Sequence, residues 1–221
     1  MRIEPVFLFD LDGTLVGTKR LYLEAYRRVS RIHAFRELSD DELLAMRPRS
    51  ELKMLRELLP EAADYEQCCE TFYAEYAALH ESHFEGVYDG VKEMLQALRA
   101  RPLKLGVVTG KSRRAWAITS ALAPLGAFDI VILDDDVRHP KPDPHGLNIA
   151  LDRLGISADA AAYVGDTRSD MEAALAAGVL PVWAAWSRPA SLRAAAADSL
   201  RALGAHIARS PGDIVRLAGA P

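Results

Sequence analysis

The stretch Val6-Phe7-Leu8-Phe9-Asp10-Leu11-Asp12-Gly13-Thr14 decides the fold. Four consecutive apolar residues end abruptly in an acid. Continuous rather than alternating hydrophobicity marks a strand covered on both faces, as in a parallel sheet flanked by helices. Gly13 and Thr14 then turn the chain, leaving Asp10 and Asp12 just past the strand's carboxyl end.

Similar short runs recur on the carboxyl-terminal side. Leu103 to Val108 ends at Thr109, Ile130 to Leu133 ends at Asp134, and Ala161 to Val164 ends at Gly165-Asp166. Val179 to Trp183 follows, with a weaker run near Ala205 to Ala208. Helical patterns separate them. Val91, Leu95 and Leu98 share one face, as do Leu147, Ala150, Leu151 and Leu154. Met171, Ala174 and Leu175 form another, and Gly178 stands where a helix C′ glycine belongs. From about residue 86 onward strand and helix alternate, which predicts right-handed βαβ crossovers and a doubly wound α/β sheet.

Residues 19–84 break that rhythm and show no convincing strand. Ser39 with Glu42 reads as a capping box, and Tyr65, Cys69, Phe72, Tyr76 and Leu79 make one long apolar stripe. The expected organisation is a core of residues 1–16 and 86–221 and a small helical domain over 17–85, with joints near Gly17 and Glu85-Gly86. The stripe reads as core packing, with Cys68 and Cys69 in the same helix interior.

Composition sets the outer limits. The 221 residues are 50% hydrophobic and 26% charged, which excludes disordered, collagenous and disulfide-scaffold classes. A chain of this size hides roughly 70% of its unfolded surface, so a core forms without staples. The balance of 27 basic and 31 acidic residues gives −4 and no basic stripe, so no nucleic-acid partner is expected. The longest weakly polar stretch, Ala173 to Trp186, is too short to span a membrane and contains Gly178 and Pro181. Val6 to Phe9 is no signal-peptide core, and adjacent Cys68 and Cys69 cannot frame a disulfide scaffold, so a reduced cytoplasmic setting is expected. Monomer and homodimer both stay open.

In a parallel sheet ligands bind beyond the strands' carboxyl ends. Asp10, Thr109 and Asp166 each follow an apolar run, so the fold gathers them on one rim, and Lys141 can reach it from the loop after the third run. Asp12 and Asp170 add carboxylates there. Such acids repel one another unless a hard cation sits among them, and sparse oxygen ligands with room for water suit Mg²⁺. The lysine and the threonine hydroxyl complete a site for a phosphoryl group. With the charge neutralised, Asp10 can attack phosphorus, while Asp12 protonates the leaving oxygen and later deprotonates the attacking water.

Asp10-Leu11-Asp12-Gly13-Thr14, Thr109-Gly110, His139-Pro140-Lys141-Pro142-Asp143 and Gly165-Asp166-Thr167-Arg168-Ser169-Asp170 resemble the four motifs of haloacid-dehalogenase-like (HAD) phosphatases in order and spacing. The resemblance covers essentially the whole chain. It implies a Rossmann-like core with an α-helical cap inserted after the first strand. It further implies Asp10 as nucleophile, Asp12 as acid/base, and Mg²⁺ held by Asp10, Asp166 and the Asp12 carbonyl, with Asp170 supporting the metal directly or through water.

Thr109-Gly110-Lys111 is similar to the phosphoglycolate phosphatase-like branch. That resemblance implies phosphate binding by Thr109, Gly110, Lys111 and Lys141. Likeness to the branch's sugar-phosphate mutases puts Arg49, near Arg47 and Pro48, where a cap arginine meets substrate, or else on a solvated surface. Gly17 and Asp89 depart from the branch pattern, Gly17 in a way expected to loosen the cap hinge. His80 and His83 read as a polar helix face rather than a metal site, and His139 as a loop residue.

The expectation is a Mg²⁺-dependent phosphatase acting on a small-molecule phosphate ester, most like phosphoglycolate phosphatase. A β-phosphoglucomutase-like mutase and a non-catalytic phosphate-sensing module are the rivals. The intact set Asp10, Asp12, Lys141 and Asp166 argues against the module.

Overall fold

In β1 (Val6–Phe9) every side chain is buried, and alternate residues serve opposite faces. Phe7 and Phe9 enter one apolar cluster with Leu105, Val107 and Val164, whereas Val6 and Leu8 enter another with Val108, Ile132 and Tyr163. That division is what a strand buried on both faces requires.

The computed structural model describes residues 5–46, 50–61 and 64–219. After β1 come β2 (Val16–Gly17), β3 (Gly86–Val87), β4 (Lys104–Val108), β5 (Ile130–Ile132), β6 (Ala161–Gly165), β7 (Leu180–Ala184) and β8 (His206–Ala208). Six of these form one parallel sheet in the order β5-β4-β1-β6-β7-β8. The expected doubly wound α/β fold is therefore present. Strand order reverses between β1 and β6, and such a switch point opens a crevice beyond the strand ends. Register sets what meets there. Phe9 lies opposite Val107 on one side and Val164 on the other, and the Asp10 N–H donates to the Val164 carbonyl at 2.8 Å.

Helices cover both faces. Val91, Leu95 and Leu98 of α6 (Val91–Arg99) pack with the Phe7–Phe9 face, joined by Ile214 of α11 (Pro211–Leu217). Leu147 and Leu151 of α8 (His145–Leu154) and Ala173 and Ala174 of α9 (Arg168–Ala176) pack with the Val6–Leu8 face. Gly178 takes φ +72°, and its N–H donates to the Leu175 carbonyl, ending α9 as its position in the sequence implied.

Between β2 and β3 the chain is helical: α1 (Lys19–His33), α2 (Asp40–Ala45), α3 (Glu51–Leu58), α4 (Tyr65–Ala78) and α5 (His80–His83). The Ser39–Glu42 capping box is formed. Leu21, Val29, Leu55, Phe72 and Tyr76 build a separate apolar cluster, in which Tyr26 and Phe72 stack at 5.0 Å between ring centroids. Ala115 of α7 (Arg113–Leu122) completes that cluster, so the insert rests on a helix that follows β4.

The chain enters and leaves the insert side by side. Val16 pairs with Val87 and Gly17 with Gly86 in a short antiparallel ladder. A Cβ on Gly17 would lie 2.6 Å from the Glu85 Cβ. The missing side chain thus lets the two segments touch, a tight joint rather than the loosened one expected from the motif departure. No helix among the described residues is long and apolar enough to cross a membrane.

Candidate active site

Asp10 is the first residue past β1, buried at 6% exposure, and its Oδ1 accepts from the Lys141 Nζ at 2.9 Å. The same ammonium donates to Asp170 Oδ1 at 2.6 Å and to the Tyr163 hydroxyl at 3.0 Å. Tyr163 in turn donates to the Val108 carbonyl at 2.7 Å. Lysine has three N–H donors, and here each has a partner. Residues separated by 131 positions in sequence are thereby tied together on the rim.

Asp166 follows β6 and completes the group. Asp10, Asp166 and Asp170 each place a carboxylate oxygen within 4.8 Å of the others. Among the described residues this is the one such group of acids, histidines or cysteines. Glycine permits the close approach. Gly13 has φ +81°, and a Cβ there would lie 2.7 Å from the Asp166 carboxylate. The Asp166 backbone is pinned from behind, its carbonyl accepting from Trp183 Nε1 at 2.8 Å and Arg188 Nη2 at 3.2 Å. Asp170 opens α9 in a capping box. Its Oδ2 accepts from the Thr167 N–H at 2.9 Å and the Thr167 hydroxyl at 2.6 Å.

The carboxylates are not equivalent. Burial pushes the Asp10 carboxyl up to about 6, with Asp170 and Asp12 adding to the push and Lys141 opposing it. Asp166 is pushed well above the ordinary range by burial and then by Asp170 and Asp10. Burial acts on Asp170 too, but the Lys141 charge and the bonds from Lys141 and Thr167 outweigh it and hold that carboxyl below its usual range. Lys141 loses by burial and gains more from Asp10 and Asp170, so its ammonium is held firmly charged.

One oxygen stands out. Among the described residues, Asp166 Oδ1 is buried and has no hydrogen-bond partner. A buried, unpartnered carboxylate oxygen is costly unless a cation meets it. Three carboxylates against one lysine, an all-oxygen donor set and this orphaned acceptor fit a hard divalent ion such as Mg²⁺.

Asp12 faces the other way, towards the helical insert. Its Oδ1 accepts from the Thr18 hydroxyl at 2.7 Å, and both its oxygens lie 3.1 Å from Lys111 Nζ. Lys111 is fully buried. Its ammonium also donates to the Tyr22 hydroxyl and, at 2.8 Å, to the Tyr76 hydroxyl, with Glu51 Oε1 4.0 Å away. Expected among the phosphate-binding residues, Lys111 instead has its donors committed to Asp12 and two tyrosines.

Thr109 is buried, and its hydroxyl accepts from the Lys111 N–H at 3.3 Å. Thr109 and Gly110 line a small cavity with Asp134, His139, Lys141 and Gly146, so three of the expected phosphate-site residues, Thr109, Gly110 and Lys141, converge. Arg49, with Arg47 and Pro48, lies outside the described residues.

Comparison with known proteins agrees with this geometry. The family model described as haloacid dehalogenase-like hydrolase matches residues 7–184, more than half of the chain. The chain belongs to the haloacid dehalogenase-like hydrolase family. Within that family it is an enzyme of the HAD-like phosphatase kind. The pyrophosphatase PpaX of Bacillus velezensis is 34% identical over 183 residues, covering 81% of this chain and 82% of that protein. A HAD-superfamily hydrolase of subfamily IA from Geobacter sulfurreducens superposes with a TM-score of 0.68 at 26% identity, covering 98% of this chain and 97% of its own. A candidate phosphoglycolate phosphatase from Lactobacillus plantarum shares the fold at a TM-score of 0.77 and 24% identity, covering 97% of this chain and 99% of its own.

Several residues of this HAD site carry no motif signal. Tyr163 reads as one more apolar strand residue, and Trp183 as part of an apolar run; only their hydroxyl and indole N–H, placed by the fold, reach the rim. Thr18 could have been suspected from its nearness to Asp12 in sequence. Tyr22, Glu51 and Tyr76 sit on three different helices, and nothing short of the fold brings them together. His80, read as part of a polar helix face, is buried instead. Its Nδ1 meets the Tyr76 carbonyl at 2.8 Å and its Nε2 the Thr119 hydroxyl at 3.2 Å. Burial pushes its ring below the usual histidine range.

Proposed function

We propose that this HAD phosphatase hydrolyses a small phosphorylated metabolite in a Mg²⁺-dependent reaction through an aspartyl-phosphate on Asp10. The observation that carries this reading is Asp10 itself. It stands at the switch point of the sheet, 2.9 Å from Lys141 Nζ and grouped with Asp166, whose Oδ1 lacks a partner. Asp10, Asp166 and the Asp12 carbonyl would hold the ion, with Asp170 in support. When bound, Mg²⁺ supplies positive charge to the phosphoryl oxygens.

The chain's own groups do the remaining work. Lys141 and the Thr109 hydroxyl bind and orient the phosphoryl group against Asp10. The Asp10 carboxylate forms a bond to phosphorus as the bond to the leaving oxygen breaks, and Asp12 gives that oxygen a proton. Asp12 then takes the proton of the water that cleaves the aspartyl-phosphate, releasing inorganic phosphate and restoring both acids. The helices between β2 and β3, taken as a cap over residues 17–85, close the rim against bulk water and limit substrate size.

Phosphoglycolate is the substrate favoured by the Thr109-Gly110-Lys111 motif. Inorganic pyrophosphate is a second reading, favoured by the name of the 34% identical relative. A panel of phosphate esters and pyrophosphate, with and without Mg²⁺, tests the proposal, with 2-phosphoglycolate and a hexose 1-phosphate among the esters. Release of inorganic phosphate that needs Mg²⁺ and is absent in Asp10→Asn supports it. Conversion of the hexose 1-phosphate to its 6-phosphate would make the enzyme a mutase, and failure on every ester would favour a sensing module.

A further inference from the structure

Beside the rim lies a second buried polar group, and the phosphatase reading gives a task to only one of its members, Asp12. Glu51, the first residue of α3, is 4% exposed. Its Oε1 accepts from the Tyr22 hydroxyl of α1, and its Oε2 from the Ser112 hydroxyl and, at 3.3 Å, the Ser112 N–H. Ser112 caps α7, its hydroxyl also accepting from the Ala115 N–H at 3.2 Å and the Tyr73 hydroxyl at 3.0 Å. Glu51 therefore bolts an insert helix to the segment that immediately follows Lys111.

Lys111 sits in the middle. Its ammonium lies 4.4 Å from the Tyr22 ring centroid and 5.0 Å from that of Tyr76, bonds both hydroxyls, and has Glu51 and Asp12 as its two counter-charges. Tyr76 shares its hydroxyl with Thr119 at 2.8 Å. Every buried side-chain oxygen and nitrogen of this group is partnered, in contrast to Asp166 Oδ1. A fully satisfied buried network holds its members in one arrangement. The member nearest the rim along the chain is Asp12, two residues past Asp10.

We propose that Glu51 is a positioning residue. Through Tyr22 and Ser112 it fixes Lys111, and Lys111 fixes the direction of the Asp12 carboxylate. The acid/base group thereby takes its aim from helices of the insert, and it is seated only when they are. This rests on the reading of Asp12 as the proton donor to the leaving oxygen.

The test compares Glu51→Gln, which keeps the side chain's size, with wild type on two substrates. An alkyl phosphate needs its leaving oxygen protonated, whereas p-nitrophenyl phosphate releases a stable p-nitrophenolate anion. A positioning role predicts that kcat/KM falls about tenfold or more on the alkyl ester and by less than about twofold on the nitrophenyl ester. In an Asp12→Asn background Glu51→Gln should add no further loss, because the two act in series. Equal losses on both esters, no loss on either, or an undiminished loss in the Asp12→Asn background overturns the proposal.

Crystal structures of the same variants decide the point without turnover. Displacement of the Lys111 ammonium from Asp12 in Glu51→Gln supports it, and an unchanged Lys111–Asp12 contact refutes it. Should wild type hydrolyse no ester, the phosphatase reading fails while this arm still decides on Glu51. Tyr22→Phe keeps the ring in the core and removes only the hydroxyl, so it serves where Glu51→Gln does not fold; the same split between esters is expected, and its absence counts against the proposal.

Discussion

Two lysines, each set against carboxylates, divide the chemistry of this molecule. Lys141 joins Asp10 and Asp170 on the open rim, beside an Asp166 oxygen that nothing meets. Lys111 joins Asp12 under the helical insert, in a network whose buried side-chain nitrogens and oxygens all have partners. The first cluster is incomplete as protein and calls for a ligand. The second is complete and holds a geometry. Lys141 keeps 19% of its side-chain surface exposed and Lys111 none, but the sharper difference is satisfaction of the surrounding polar atoms.

The largest effect should come from the incomplete cluster. Asp10→Asn keeps the shape and the Lys141 contact but removes the nucleophile. Turnover of any phosphate ester should fall by at least about 10³-fold while the circular dichroism spectrum stays that of wild type. Retained turnover would move the chemistry elsewhere.

Next comes the ion. Adding MgCl₂ at about a hundredfold excess over its dissociation constant stabilises a binding protein by roughly 2.7 kcal/mol, which for this length raises Tm by several degrees. Wild type should show that rise in differential scanning fluorimetry and Asp166→Asn should not. Without Mg²⁺ the variant should melt no lower than wild type, because it loses a carboxyl that has no partner. A variant that still responds to Mg²⁺ would place the ion away from Asp166.

Gly165→Ala sharpens the same contrast by steric means. A Cβ there would lie 2.5 Å from the Asp170 Cβ, and Asp170 is locked by its capping box. Denaturant unfolding should show a loss of about 1–3 kcal/mol. The complete cluster shows itself differently, as pH dependence. Burial pushes the Glu51 carboxyl from 4.5 up to about 7, against the opposing pull of Lys111, Ser112 and Tyr22, with Asp12 adding to the rise. The folded chain keeps that proton after the unfolded chain has released it, so wild-type stability falls as pH rises from about 4.5 to 7. Urea unfolding of Glu51→Gln should lack that component of the slope, with the difference between the two proteins level outside the interval.

The rim was legible in sequence because its members follow strand ends. Val6 to Phe9, Ala161 to Val164 and the other apolar runs announce buried strands, and a parallel sheet brings whatever follows them to one edge. The ladder of β2 and β3 was not legible, since two residues each make no periodic signal. Neither was the network around Lys111. Glu51 is a lone acid at a helix start, Tyr22 and Tyr76 belong equally to apolar faces, and His80 lies in a stretch rich in polar residues. Their hydroxyls, carboxyl and ring meet only when α1, α3, α4, α5 and α7 pack together. Periodicity records which face of a helix is buried; it carries no record of which polar atom on that face finds which partner.

The most direct test of the account is to stop turnover of p-nitrophenyl phosphate with acid and map phosphorylated peptides by mass spectrometry. A phosphoryl group on Asp10, absent from Asp10→Asn, is the predicted result. Continued turnover with a phosphoryl group on another residue, or with none on the enzyme at any time, would contradict it.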